Sequence, residues 1–212
     1  MTTAMTWLAS LATIVILLVY EVELVVVDRR DPGRLARAAH TSLREEWFAA
    51  VSGQQGTEIL AVQTLRNSLM SATMTASTAA LGLMGTASLA LPSLHEGFGA
   101  AAGIPVLSAQ LVLQLVLMAL LFASLVASAM AVRYYNHVGF ISGMPVESAE
   151  RKRWAEAGVA YVRRAGILYS WGLRFLILVA PILAAIVHPW AGPIAAVLVV
   201  AVLWGFDRSG KR

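Results

Sequence analysis

Residues 105–132 read PVLSAQLVLQLVLMALLFASLVASAMAV and contain no charged side chain. A helix needs about 20 apolar residues to cross the roughly 30 Å hydrocarbon core of a bilayer, because it rises about 1.5 Å per residue. An open strand in the same place would leave its backbone groups unpaired in lipid. The stretch is therefore predicted to be a membrane-spanning helix.

Four further apolar segments flank this one and cover residues 7–27, 59–91, 166–187 and 190–206. No Lys or Arg precedes the first and no small-residue cleavage site follows it, so we expect a retained span rather than a signal peptide. Only 13% of the residues are charged, against about a quarter in a soluble domain, and the mean hydropathy is +0.72. We predict one all-α transmembrane domain over residues 1–212, a polytopic helical bundle of about five spans.

The basic residues lie on one side of these segments. All 16 Lys and Arg fall in or beside two long connections or in the tail: Arg29, Arg30, Arg34, Arg37, Arg44, Arg66, Arg133, Arg151, Lys152, Arg153, Arg163, Arg164, Arg174, Arg208, Lys211 and Arg212. Because cytoplasmic loops carry the excess of Lys and Arg, we predict an outside N-terminus and a cytoplasmic C-terminus in the cell inner (plasma) membrane. The pI of about 9.9 then comes from basic residues at the cytoplasmic face. We expect these residues to attract anionic lipid headgroups rather than nucleic acid.

The two charged connections, residues 28–58 and 143–165, are predicted to be cytoplasmic amphipathic loops that contain interfacial helices. Apolar residues repeat at helical spacing in the first: Leu35, Ala39, Leu43, Trp47 and Val51. A weaker stripe occurs in the second: Trp154, Gly158, Tyr161 and Ala165. The simpler interpretation is that these helices cover the cytoplasmic surface, and the alternative is that they dock a partner.

Polar side chains gather near the cytoplasmic ends of the spans, where lipid makes each of them costly. The candidate ion- or ligand-binding residues are Glu21, Glu23, Gln63, Arg66, Asn67, Arg133, Asn136, His137 and Arg174. The residues at 63, 66 and 67 share one helical face by their spacing, as do those at 133, 136 and 137. In the simplest explanation, three carboxylates, with Asp207 as the third, neutralise the three Arg in a buried network that fixes helix register.

The alternative is a water-filled vestibule or anion site formed by the same residues. Three Arg at one depth exceed what one or two carboxylates need, and guanidinium groups bind carboxylate or phosphate well. In a symmetric oligomer each position would form a ring around a pore. The small residues of segment 59–91 favour close helix packing, so we expect a homo-oligomer.

Several chemistries are not expected from this sequence. It contains no Cys, which excludes disulfides, thiolate metal sites and Cys nucleophiles. Phosphate-binding Gly loops and nucleophile elbows are absent, so we expect neither an enzyme nor a cofactor. The four His show no metal-binding spacing. A membrane redox or metalloprotein using His and Glu therefore ranks below an anion channel or transporter and below a structural subunit that binds lipid or a membrane complex.

The stretch QTLRNS at residues 63–68 adds a family resemblance. Together with YNH at residues 135–137 and GLR at residues 172–174, it resembles an uncharacterised membrane family of bacteria and plants, the domain of unknown function 599 family. The resemblance extends from about Arg29 to Asp207. It implies an integral membrane protein, and it brings no activity, cofactor or catalytic residue with it.

Overall fold

The computed structural model describes residues 3–31, 35–98 and 107–208, and every regular element within them is a helix. The helices are α1 (Thr3–Arg30), α2 (Ala36–Ser52), α3 (Glu58–Phe98), α4 (Ala109–Ser142), α5 (Ala149–Val187) and α6 (Ala191–Asp207). The predicted all-α class is thereby confirmed. Arg34, Lys211, Arg212 and part of the predicted 92–104 connection lie outside the described residues.

Four of the helices, α1, α3, α4 and α5, are long and apolar enough to cross a membrane. Helix α6 is apolar over 17 residues, which gives about 25 Å of helix and lies at the lower limit for a span. The chain is thus a multi-pass helical membrane bundle, whereas the total of five spans and their orientation stay predictions.

The charged segment 149–165 is not a separate interfacial helix, because it forms the first part of α5. Helix-breaking residues lie ahead of Ser148, whose side chain accepts a hydrogen bond from the backbone N–H of Arg151 and caps the helix. No Pro then occurs before Pro181. The 39 residues of α5 give about 58 Å of helix, nearly twice the hydrocarbon thickness of a bilayer. The charged first part therefore projects beyond the membrane.

Arg151 also ties the end of α4 to the start of α5. Its side chain is buried, and Nη1 donates to the carbonyl oxygens of Ser142 at 2.8 Å and Met144 at 2.5 Å. A guanidinium at a helix C-terminus meets the negative end of the helix dipole. The buried guanidinium of Arg151 thereby holds the connection between α4 and α5.

Helix α2 lies on the first part of α5, where two glycines permit its close approach. A Cβ atom on Gly158 would lie 2.6 Å from the Phe48 ring, and one on Gly166 would meet the Arg44 guanidinium. Phe48 is fully buried, whereas Leu43 on the other side of α2 is exposed. This orientation leaves an apolar edge of α2 free to face the membrane interface.

Two hydrophobic cores hold the helices together. One joins α1, α4, α5 and α6 and includes Leu17, Leu121 and Ile182. The other joins α2, α3, α4 and α5 and includes Leu65 and Tyr135. Helix α3 packs mainly on α4, while α1 and α6 pack on each other and on α5. One end of the bundle carries the C-termini of α1, α4 and α6, the N-termini of α3 and α5, and the whole of α2. We call it the charged end.

Candidate functional site

The nine predicted site residues lie toward the charged end, but they do not form one group. Glu21 and Arg174 belong to a buried ion cluster, which we define as Tyr20, Glu21, Arg174 and Asp207. Six others form what we call the outward polar face, the exposed residues Gln63, Arg66 and Asn67 of α3 and Arg133, Asn136 and His137 of α4. Glu23 lies apart from both groups.

The ion cluster is centred on Arg174, whose side chain is 6% exposed. Its Nε donates to Glu21 Oε1 at 2.6 Å, and its Nη1 donates to Asp207 Oδ2 at 2.9 Å. The hydroxyl of Tyr20 donates to the same Asp207 oxygen at 2.5 Å. Of the network predicted between three carboxylates and three Arg, the structure forms the pairs of Arg174 with Glu21 and Asp207, which join α1, α5 and α6.

A second guanidinium, that of Arg37 on α2, lies beside the ion cluster. Arg37 stacks on Trp171, with Cζ 4.4 Å from the ring centre. Burial lowers the pKa of Arg37, and the charge of Arg174 lowers it further, while Asp28, Asp207 and Glu21 oppose that shift. Arg37 therefore lies within electrostatic range of the ion cluster without forming an ion pair with its described carboxylates. Helical spacing alone gave no signal for it, because its partner is on α5.

The ion cluster has two polar atoms without a hydrogen-bond partner among the described residues, and it borders a pocket. Arg174 Nη2 and Glu21 Oε2 are buried without a hydrogen-bond partner among the residues that the structure describes. A pocket of about 250 Å³ at the charged end is lined by Tyr20 and Asp207 of the cluster and by Leu35 and Trp204. Solutes at the charged end would therefore meet the cluster at Asp207.

Glu23 forms a surface ion pair with Arg208, at 3.2 Å between Glu23 Oε1 and Arg208 Nη2, and both side chains are about half exposed. Arg208 also stacks on Trp204. Two residues of helix turn a side chain by about 200°, which is why Glu23 faces away from Arg174 while Glu21 faces it. Exposed ion pairs contribute only about 0–1 kcal/mol to the free energy of unfolding, so this pair adds little to stability.

The α3 part of the outward polar face has no partner within the described chain. The side chains of Gln63, Arg66 and Asn67 form no hydrogen bond or ion pair with any described residue. The hydroxyls of Ser71 and Thr78, farther along α3, instead donate to the carbonyl oxygens four residues earlier. Ser and Thr satisfy themselves in this way inside a membrane helix, whereas a guanidinium or a carboxamide does not.

The α4 part of the outward polar face lies at the same level, because Leu65 of α3 and Tyr135 of α4 share one core. Arg133 and Asn136 are exposed and unpaired among the described residues, while the His137 ring lies 5.8 Å from that of Tyr161. The prediction that Arg66 and Arg133 join the network of Arg174 is therefore wrong within one chain. Arg66 and Arg133 are exposed on α3 and α4, whereas Arg174 is buried on α5.

No metal centre is formed by the described ranges of the chain, in which no three His, Asp or Glu side chains lie close enough to hold an ion. The outward polar face is instead made of guanidinium and carboxamide groups, with one imidazole. Guanidinium groups are hydrogen-bond donors that bind anionic oxygens. The side chains of this face can therefore donate several hydrogen bonds to an anionic group.

The chain belongs to the family described as Protein of unknown function, DUF599, whose model matches residues 8–211. The match extends over nearly the whole chain and includes both the ion cluster and the outward polar face. It confirms the resemblance carried by the QTLRNS, YNH and GLR stretches. No curated protein and no solved structure matches the chain.

Proposed function

We propose that this family member is a non-enzymatic protein of the inner (plasma) membrane in which several copies meet through α3 and bind or pass a small anion. The observation that carries the proposal is the polar and small-residue composition of the outward side of α3. The proposal includes a homo-oligomer, an anion site beside Arg66 and an ion path along α3. In this proposal the charged end of the protein faces the cytoplasm.

The exposed side of α3 carries a regular stripe, which we call the α3 seam. The seam consists of Gln63, Asn67, Met70, Met74, Ser77, Leu81, Met84 and Ser88, all of them exposed. Their spacing alternates between four and three residues, the repeat with which helices pack side by side at a small crossing angle. From its first to its last residue the seam is about 38 Å long, which exceeds the roughly 30 Å hydrocarbon core. It is therefore long enough to extend through a membrane.

Helices α1 and α6 expose a different kind of surface. The exposed side chains of α1 are mainly aliphatic, among them Leu8, Leu11, Val15, Leu18, Val19 and Val22, and those of α6 include Ile194, Val197, Leu198 and Val202. Helix α3 is the least apolar and the least buried of the four long helices. Lipid tails solvate the surfaces of α1 and α6 well, but they offer nothing to the carboxamides of α3.

A second copy of the chain supplies what lipid does not. Small residues let helix backbones approach closely, and carboxamides can form hydrogen bonds across a helix–helix interface. Three of the seam residues are Met, whose flexible side chain fills irregular gaps between packed surfaces. The seam is thus suited to pairing with itself around a symmetry axis.

The anion site of the proposal is at Arg66 rather than at Arg174. Arg174 is already neutralised by Glu21 and Asp207, whereas Arg66 is exposed and unpaired in the described chain. In a symmetric assembly Arg66 would form a ring of positive charge, and the carboxamides of Gln63 and Asn67 would replace part of an anion's hydration shell.

Anion flux into liposomes tests this proposal, with Arg66→Gln compared with Arg153→Gln. Both changes remove one exposed positive charge, but Arg153 lies on the part of α5 that projects beyond the bilayer. We expect Arg66→Gln to lower anion flux severalfold and Arg153→Gln to leave it near the wild-type value. Equal flux from both variants, or no flux from a well-folded wild-type protein, would overturn the assignment.

A second candidate function is a structural or accessory subunit that binds lipid or a larger membrane complex. The ion pairs of the cluster favour it, because a guanidinium bonded to two carboxylates from different helices holds those helices in register. Under this alternative, the purified protein would conduct no ions and would co-purify with lipid or with a defined membrane complex. The liposome measurement therefore separates the two candidates.

A further inference from the structure

An apolar groove between α1, α4 and α5 has no place in the proposed anion path. Its volume is about 530 Å³, within the range of natural ligand sites. Leu18 and Val25 of α1, Leu120 of α4 and Phe175 of α5 are among the residues that line it. The groove is open to the side, where the hydrocarbon of the membrane would lie.

One end of this groove is positively charged. Arg29 and Trp171 line that end, and Arg37 stacks on the Trp171 ring. Arg29 is exposed and forms no ion pair with a described residue. Glu21 also lines the groove, but its carboxylate is bonded to Arg174. Two guanidinium groups beside a Trp at the interface are the chemistry that receives a lipid phosphate.

The length of the groove matches one leaflet. Along α1 it extends from Ile14 to Arg29, which corresponds to about 22 Å of helix. One leaflet contributes about 15 Å of hydrocarbon, and the headgroup lies beyond it. An acyl chain in the apolar part would therefore place its phosphate at the level of Arg29.

We propose that this groove binds one acyl chain of an anionic phospholipid, with the phosphate held by Arg29 and Arg37. The occupant follows from the charge at one end and the apolar lining over the rest, because a neutral lipid would leave the exposed guanidinium of Arg29 without a counter-charge. Helix α3 contributes no lining residue to this groove, so the site does not depend on the proposed anion path.

The first test fills the groove and uses a matched neighbour as its control. Leu18 and Val19 are adjacent and similarly exposed at 57% and 60%, but only Leu18 lines the groove. The wild type, Leu18→Trp and Val19→Trp are purified, and bound phospholipid is counted by native mass spectrometry after exposure to mixed phosphatidylglycerol and phosphatidylcholine. We expect Leu18→Trp to lose the bound lipid and Val19→Trp to retain it. Equal retention by the two variants would overturn the proposal.

The second test concerns the phosphate and compares Arg29→Gln with Arg30→Gln, adjacent exposed residues of which only Arg29 lines the groove. A positive charge near an anionic lipid contributes about 1 kcal/mol, which corresponds to about a fivefold change in affinity. We expect Arg29→Gln to lose about that much preference for phosphatidylglycerol, and Arg30→Gln to keep it. A wild type that retains both lipids equally would contradict the anionic occupant.

A Leu18→Cys protein that forms disulfide-linked dimers would show that a second copy occupies the groove instead.

Discussion

The buried ion cluster and the outward polar face contain the same kind of residue at the same end of the molecule, yet they are built in opposite ways. Arg174 is 6% exposed and bonded to carboxylates from two other helices. Arg66 is exposed and meets no described carboxylate. A charge in a membrane protein is tolerated when a partner offsets its desolvation, and the charge of Arg174 is offset within one chain. Arg66 needs water, an anion or another chain.

The difference shows that depth in the membrane does not by itself define a function. The residues of the ion cluster contribute to folding, and substitutions there should change stability. The residues of the outward polar face contribute little to the folded state of one chain, and substitutions there should change assembly or flux. Each prediction below either widens or removes this contrast.

The largest effect is expected for Arg174→Met. This change leaves Glu21 and Asp207 partly buried without their counter-charge, and breaking a buried pair costs about 3–5 kcal/mol. The free energy of unfolding in mixed micelles should fall by that amount. Arg208→Met is the control, because its exposed pair with Glu23 should contribute only about 0–1 kcal/mol. Equal losses for the two variants would remove the distinction between the cluster and the surface.

An intermediate effect is expected for Tyr20→Phe. The change deletes the hydroxyl that donates to Asp207 while keeping the buried ring against Arg174. A hydrogen bond to a charged group contributes about 1.5–3 kcal/mol, so the free energy of unfolding should fall by that amount. Tyr134→Phe is a suitable control, because its ring contacts keep their geometry without the hydroxyl. No loss for Tyr20→Phe would indicate that the cluster tolerates an unpaired Asp207 oxygen.

The smallest effect on stability is expected for Arg66→Gln. Surface substitutions away from special features change the free energy of unfolding by no more than about 0.5 kcal/mol. The same variant should nevertheless change anion flux, as proposed above. A loss of several kcal/mol in a monomeric preparation would mean that Arg66 has a partner within its own chain, and the contrast with Arg174 would fail.

Part of this arrangement follows from the sequence, and part does not. The rise of a helix gives the depth of each residue, which is why Glu21, Asp207 and Arg174 could be assigned to one network. The direction in which a side chain points depends on which helices become neighbours. Arg66 was therefore assigned to the wrong network, and the stacking of Arg37 on Trp171 was missed.

The continuity of α5 was also difficult to predict. Its charged first part and apolar second part differ sharply in composition, which indicated two elements. No breaker separates them, however, and Gly158 and Gly166, which resemble break points, instead make room for Phe48 and Arg44. Packing against α2, which lies far away in sequence, decides the role of these glycines.

The most direct test of the central claim is a cysteine scan of residues 63–88 in native membranes, since the sequence contains no Cys of its own. Each single-Cys variant is oxidised, and the fraction of disulfide-linked dimer is measured, with Val15→Cys on the exposed side of α1 as the control. The α3 seam predicts maxima near Asn67, Met74 and Ser77 and minima at Leu65 and Ala72, which are buried. A uniformly low profile, or cross-linking no greater than that of Val15→Cys, would contradict assembly through α3.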